Sequence, residues 1–326
     1  MLLDRFDALL ADLDGVVYAG EEPVDGAAEA LGRLEQAGVR LGYITNNASR
    51  SPAKVAEHIR RLGAPASAES VFGSADAAAE LLADRLEAGS KVLITGSEYL
   101  RSCVEDRGLE PVSDHRERPD AVVQGFDPGL GWADLAEASY AINAGAEWVA
   151  TNTDFTIPRA EGIAPGNGAL VNAVAFATGA TPAVAGKPEA YLFHHAAERL
   201  GAERPLVVGD RLDTDILGGN RAGFATAAVL TGIDTVRTVL AAEPDQRPQY
   251  LLETLGDLYR PYPGTEDDGD ASAACGDGRA ALDGRALVLS DDTLDAWRAA
   301  CALWWRVNPE AAAEPEDIRF DGADPR

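Results

Sequence analysis

Two carboxylates separated by one residue, Asp12 and Asp14, stand where the apolar run Ala8–Leu13 ends, and Gly15 follows them. At the carboxyl end of a parallel strand such a pair can project into the crevice above the sheet if the chain bends, and Gly15 permits that bend. A second acidic group, Gly209-Asp210-Arg211-Leu212-Asp213-Thr214-Asp215-Ile216, follows the run Pro205–Val208. Bringing these acids near Asp12 and Asp14 is costly unless a divalent cation neutralises them. Hard oxygen ligands with positions left open suit Mg²⁺, with water and a phosphate oxygen completing the octahedron. A calcium loop is excluded at Asp12, because no acid occupies the third ligand position, Val16, or the twelfth residue of the loop, Pro23.

Two further segments suit an anion. Thr45-Asn46-Asn47 offers a hydroxyl and backbone amides as a neutral cradle, and Lys187 in Gly186-Lys187-Pro188 offers a fixed positive charge. Each of the four segments also has an ordinary reading. The acid pair can be a strand end with a polar turn, and Thr45-Asn46-Asn47 a helix-capping turn. Lys187 can be a solvated surface residue, and the later acids a helix N-terminus favoured by its dipole. Their joint occurrence is more specific than any one of them, because each lies at an expected strand end or at the turn before a helix.

The elements that would position these groups follow from the apolar pattern. Ala8–Leu13 and Val39–Thr45 read as buried strands, and Asp25–Ala37 and Ser51–Leu62 as helices, the latter with Pro52 in its first turn. Strand, helix, strand, helix at this spacing predicts a parallel sheet with crossover helices. The grammar returns at Pro205–Val208 and Thr226–Leu230, and the two halves are expected to share one sheet. The middle of the chain has its own strands at Lys91–Thr95, Ala121–Gln124 and Trp148–Ala150, with Ala-rich helices at Trp132–Ala144 and Gly168–Thr178. It reads as a separate α/β unit. From Pro261 the acidic, weakly apolar stretch GTEDDGDASAACGDG reads as a linker or mobile loop. Ala286–Leu289 reads as a strand and Asp292–Val307 as an amphipathic helix capped by Asp291 or Asp292, its Trp297, Trp304 and Trp305 requiring a surface to dock on. The residues after Pro309 are expected to fray. No internal repeat is evident.

Composition narrows the function. Twenty-eight Lys and Arg against 54 Asp and Glu leave a net charge of −26 over 326 residues, a field that repels nucleic-acid backbones. The same field repels a phosphorylated metabolite, so a site for one needs local cations. No apolar run approaches a membrane span of roughly 18 residues. Asp4, Arg5 and Asp7 interrupt the apolar start, which argues against a signal peptide. Three scattered cysteines, Cys103, Cys275 and Cys301, fit neither a zinc site nor a disulfide framework, and a cytoplasmic location is expected. Neither GxGxxG after the first strand nor GxxxxGK[ST] is present, which disfavours dinucleotide and P-loop chemistry.

Acid pair, hydroxyl, lysine and acid cluster occur here in the order seen in the haloacid dehalogenase superfamily of aspartate-nucleophile phosphatases, which the chain resembles over roughly residues 5–260. TNNASRS, GFDPGLGWADL, ATNTDFTIPRAEGIAPGNGALV, AGKPEA and VVGDRLDTDI resemble the 4-nitrophenylphosphatase-like branch. The resemblance implies an α/β fold: a doubly wound parallel sheet, with a Rossmann-like core formed by residues 1–78 and 182–260. An α/β cap is inserted at residues 79–181. An acidic linker with a small C-terminal appendage occupies 261–326, where structural docking or an oligomer contact is expected and homo-oligomerisation stays open. It implies a Mg²⁺-dependent phosphatase acting on a small-molecule phosphomonoester, with glycerol 3-phosphate the leading substrate and phosphoglycolate or a sugar phosphate as alternatives.

The resemblance also implies roles. Asp12 is the nucleophile and forms an aspartyl-phosphate; Asp14 is the acid and base. Asp12, the Asp14 backbone carbonyl and Asp210 hold the metal, with Asp215 orienting its waters, or Asp213 in its place. Thr45, Asn46, Asn47 and Lys187 hold the phosphoryl oxygens. Asn152, Asp154 and Ile157 are cap candidates for contact with substrate, as are Gly166, Asn167 and Gly168, although the reading of Asp154 as a turn cap is the stronger one. His194 and His195 read as ordinary helix residues. A reading of another class is a phosphoacceptor switch without turnover. Such domains are about a third of this length and lack a cap.

Overall fold

The computed structural model describes residues 1–159, 161–267, 269 and 271–321. The chain divides into two compact units: Met1–Leu41 with Leu62–Pro65 and the described residues from Ala202 on, and Gly42–Arg61 with Ala66–Gly201.

In the first unit four strands lie side by side, in the order Tyr250–Leu252, Ala225–Val229, Pro205–Gly209, Ala8–Asp12, all parallel. The first three residues of Ala8–Asp12 and their neighbours in Pro205–Gly209 are wholly apolar and buried, as expected of a strand covered on both faces. The register pairs Ala11 with Val208, so Asp12 and the residues after Gly209 emerge at the same edge of the sheet. The early strand thus pairs with a late one. The expected long helix at Asp25–Ala37 is shorter, Ala27–Gly32, and begins after Gly26 at φ +73°.

The same unit holds the tail, which differs from expectation. The acidic stretch contains the strands Thr265–Asp267 and Ser272–Cys275, which pair antiparallel with each other, and the second pairs with Gly278–Asp283. Ala273 and Cys275 alternate inward while their neighbours do not, a period of two that small residues make faint in the sequence. Ala286–Leu289 continues the sheet, and Ile318–Phe320 adds to it in parallel, where fraying was expected. Residues 322–326 lie outside the described residues. The helix runs Leu294–Val307, and its cap is Thr293, whose hydroxyl accepts from Ala296 N. Asp291 instead accepts from Thr293 N, and Asp292 from the Trp297 indole, so neither acid caps the helix. Trp297, Leu303 and Trp304 are buried in one core with Leu212, Ile216, Val239, Leu251 and Leu287.

In the second unit Tyr43–Thr45, the end of the strand Arg40–Thr45, pairs in parallel with Val71–Gly73. A five-stranded parallel sheet has the order Ala183–Val184, Glu147–Ala150, Ala121–Gln124, Lys91–Thr95, Glu110–Val112. Helices Trp132–Asn143 and Asn167–Thr178 cover it, with Ala138, Ala141, Val171 and Val174 in a core shared with Leu93, Val122 and Trp148. Among the described residues no helix is long and apolar enough to cross a membrane.

Candidate active site

In the first unit, the turn after Ala8–Asp12 is built by Leu13, whose carbonyl accepts from the amides of Val16, Val17 and Tyr18. Closing it needs Gly15 at φ +79°, a conformation that costs other residues energy. The turn leaves Asp12 partly buried and Asp14 exposed, two residues along. Beside it, Asp210 and Asp215 are buried, at 3% and 1% exposure. One carboxylate oxygen each from Asp12, Asp210 and Asp215 lies within 4.8 Å of the others.

Local backbone fixes these acids. Asp210 Oδ2 accepts from Ile233 N at 2.8 Å, and Asp215 Oδ2 from Arg211 N at 3.2 Å. Thr231 Oγ1 donates to the Gly15 carbonyl at 2.6 Å, tying the loop after Ala225–Val229 to the acid-bearing turn. Asp213, equally placed in the sequence, goes elsewhere: the Arg211 guanidinium binds both its oxygens, at 3.0 and 2.7 Å, on the surface. The turn Leu212–Ile216 is wound as a π-helix, which turns Asp215 inward and Asp213 outward. Thr231 and Ile233 carry no acid or base and so gave no signal in the sequence.

Three carboxylates this close repel one another by on the order of 3 kcal/mol per pair at an effective dielectric near 20. Oxygen-only donors at this spacing, with a Cβ on Gly15 placed 2.2 Å from Asp210 Oδ2, make a tight acidic cradle that fits a hard divalent cation.

In the second unit Thr45, Asn46, Asn47, Lys187, Asn152 and Asp154 form one hydrogen-bonded group. Thr45 Oγ1 accepts from Asn47 N at 3.1 Å, and Asn47 Oδ1 accepts from Ser49 and Arg50, so the loop curls with its amides in series. Asn46 Nδ2 donates to Asp154 at 3.0 Å and to the Lys187 carbonyl at 3.1 Å, while Asn46 Oδ1 accepts from Lys187 N at 2.9 Å. Asn152 Nδ2 donates to the Asn46 carbonyl at 2.8 Å, and Asn167 Nδ2 to the Asn152 carbonyl at 2.7 Å. Ser74, absent from the sequence reading, donates to the same Asn46 carbonyl at 2.8 Å. Lys187 is 5% exposed and joins Pro188 through a cis peptide. Ile157 belongs to the hairpin Thr156–Arg159 with Gly162–Pro165, opposite Ala164. Gly168 N donates to the Asp154 carbonyl and Gly166 N to that of Phe155, at the foot of that hairpin.

A second set of ligand types, Asp114, His115 and Glu137, is already satisfied by neighbours: Arg116 takes both oxygens of Asp114, and Glu137 accepts from His115 N at 2.8 Å and faces its Nδ1 at 2.7 Å. The backbone and ring N–H groups of His115 hold the Glu137 carboxyl below its ordinary range.

Known proteins resemble this chain in sequence and in fold. A model described as haloacid dehalogenase-like hydrolase matches residues 9–110, and one described as HAD-hydrolase-like matches residues 184–258. The D-glycerol 3-phosphate phosphatase of Mycobacterium tuberculosis is 43% identical over 335 residues, covering 100% of this chain and 93% of the relative. The crystal structure of glycerol phosphate phosphatase from that organism in complex with magnesium superposes with a TM-score of 0.87 at 41% identity, covering 98% of this chain and 95% of that one. An acid sugar phosphatase of Staphylococcus aureus is 36% identical over 257 residues, 78% of this chain and 97% of the relative. The chain belongs to the haloacid dehalogenase-like hydrolase family.

Proposed function

We propose that the chain is a magnesium-dependent phosphomonoesterase of small metabolites, with glycerol 3-phosphate as its leading substrate. The observation that carries this reading is the convergence of Asp12, Asp210 and Asp215 within 4.8 Å at strand ends, in a protein of net charge −26. The likeness to a D-glycerol 3-phosphate phosphatase over the full chain supports the substrate. The acid sugar phosphatase relative favours a sugar phosphate as the second choice.

In this reading Asp12 attacks phosphorus, forming an aspartyl-phosphate as the ester P–O bond breaks. Asp14, exposed beside it, gives its proton to the leaving alkoxide and later takes one from the water that hydrolyses the intermediate. Asp12, the Asp14 carbonyl and Asp210 would hold Mg²⁺, with Asp215 behind them. The ion, when bound, neutralises charge on the phosphoryl oxygens. Thr45, the amides of Asn46 and Asn47, and the Lys187 ammonium bind those oxygens and stabilise the charge that shifts during transfer. Asn152 and Asp154 support this loop through Asn46, and Ile157 lies on the hairpin that follows as the remaining cap residue proposed for substrate contact. Three cysteines buried as free thiols accord with a reducing, cytoplasmic setting.

Phosphate release from a panel of phosphomonoesters tests this reading, with and without EDTA, using the intact protein and Asp12→Asn. The expected result is multiple turnover, fastest on glycerol 3-phosphate, lost in EDTA and in Asp12→Asn. A single stoichiometric phosphorylation without release would instead indicate a phosphoacceptor, and turnover undiminished by EDTA would overturn the metal.

A further inference from the structure

Lys187 carries its charge at the end of a long side chain, so a shift of its root displaces the ammonium. That root is gripped by one side chain from 141 residues away: Asn46 Oδ1 accepts the Lys187 N–H at 2.9 Å, and Asn46 Nδ2 donates to the Lys187 carbonyl at 3.1 Å. Two bonds from one amide to both polar groups of one residue fix its position and its direction. The approach is close. A Cβ on Gly186 would lie 2.5 Å from Asn46 Oδ1 and 2.4 Å from the Thr151 carbonyl, so the residue before the lysine has to lack one.

The amide itself has a single workable orientation. Its nitrogen faces two groups that only accept, the Lys187 carbonyl and the Asp154 carboxylate at 3.0 and 3.2 Å. Its oxygen faces a group that only donates, the Lys187 N–H. Rotating the amide by half a turn would set acceptor against acceptor and donor against donor. The Asn46 main chain is pinned in turn, its carbonyl accepting from Ser74 Oγ and Asn152 Nδ2, both at 2.8 Å.

We infer that the Asn46 side chain is a positioning residue that acts through Lys187, aiming the ammonium at the phosphoryl group by clamping the lysine's main chain, with Asp154 locking the orientation of the clamp. This deepens the proposed function and rests on Lys187 binding the phosphoryl oxygens. It is separate from the Asn46 backbone amide, which both Asn46→Leu and Asn46→Asp retain.

A double-mutant cycle tests it, using Asn46→Leu, Lys187→Met and the pair. The affinity for inorganic phosphate is measured by calorimetry in MgCl₂, and kcat and KM with glycerol 3-phosphate. Asn46→Leu is expected to lower kcat about 10²-fold, the effect of a misplaced binding group, and to weaken phosphate binding. The pair is expected to be no worse than Lys187→Met alone, because the clamp has nothing left to aim. Multiplying losses in the pair, or an Asn46→Leu protein with wild-type phosphate affinity and kcat, would overturn the inference. If Asn46→Leu does not fold, judged by near-ultraviolet circular dichroism, Asn46→Asp takes its place in the cycle. It keeps an acceptor for Lys187 N but sets a carboxylate against Asp154, and the same pattern is expected. Wild-type phosphate affinity in Lys187→Met would instead refute the underlying reading of the lysine, an outcome separate from a failure of the clamp alone.

Discussion

Gly232 lies so close to Asp210 that a Cβ on it would stand 2.0 Å from the Oδ2 atom, the same oxygen that accepts from Ile233 N. Any side chain there pushes the carboxylate out of its place beside Asp12 and Asp215. Gly232→Ala is therefore expected to weaken magnesium activation by roughly 10- to 100-fold, the usual range for disturbing groups that support metal ligands. Titration of activity against MgCl₂ measures it, and an unchanged half-saturation would show that the loop relaxes without moving Asp210.

Asp213 and Asp215 make a matched pair for substitution. Asp215→Asn removes a buried charge from the acidic cluster and is expected to cost at least tenfold in metal affinity. Asp213→Asn breaks only a surface pair with Arg211, a type of contact worth about 0–1 kcal/mol, and should leave turnover near wild type. Equal losses in the two variants would refute the assignment.

The tail is structural in this account. Leu303 is fully buried in the core with Leu212, Ile216 and Val239, and Leu303→Ala is expected to cost about 2–5 kcal/mol in urea unfolding. Truncation before Thr265 strips the cover from that core and is expected to yield aggregated protein in size-exclusion chromatography. A soluble, active truncated enzyme would contradict it.

The sequence was most legible where the chemistry of burial is simplest. Lys91–Thr95 and Ala121–Gln124 are short apolar runs, and they form strands with those bounds. Legibility failed where small residues do the packing: Ala273 and Cys275 bury too little area to mark a strand against their acidic surroundings. Spacing alone left Asp213 and Asp215 undecided, because the choice depends on a π-helical turn that no local propensity marks. The acid pair and Lys187 are marked in the sequence as charged groups at turns, whereas the grip of Asn46 on Lys187 spans 141 residues and leaves no local pattern.

His195 supplies a pH dependence that owes nothing to catalysis. Burial holds its imidazole below the ordinary range, with Tyr191 stacked at 6.5 Å and Phe72 edge-on at 6.2 Å. The unfolded chain takes up this proton near pH 6.5 and the folded chain only at lower pH, so stability falls as the pH drops below about 6.5 toward the folded value. His195→Phe keeps a ring and removes the proton site. Its melting temperature is expected to fall less than that of the wild type between pH 7 and pH 5.5, and parallel curves would assign the loss to other groups.

The tail's helix shares its core with Leu212 and Ile216, the two ends of the turn that carries Asp215. Anyone recombining this enzyme with its relatives should cut with that in mind. A chimera that borrows the acid-bearing turn from a shorter homologue inherits apolar side chains shaped for other neighbours, and one that discards the last sixty or so residues unroofs the turn. Turn and tail form a single inheritable module, to be exchanged together or left alone.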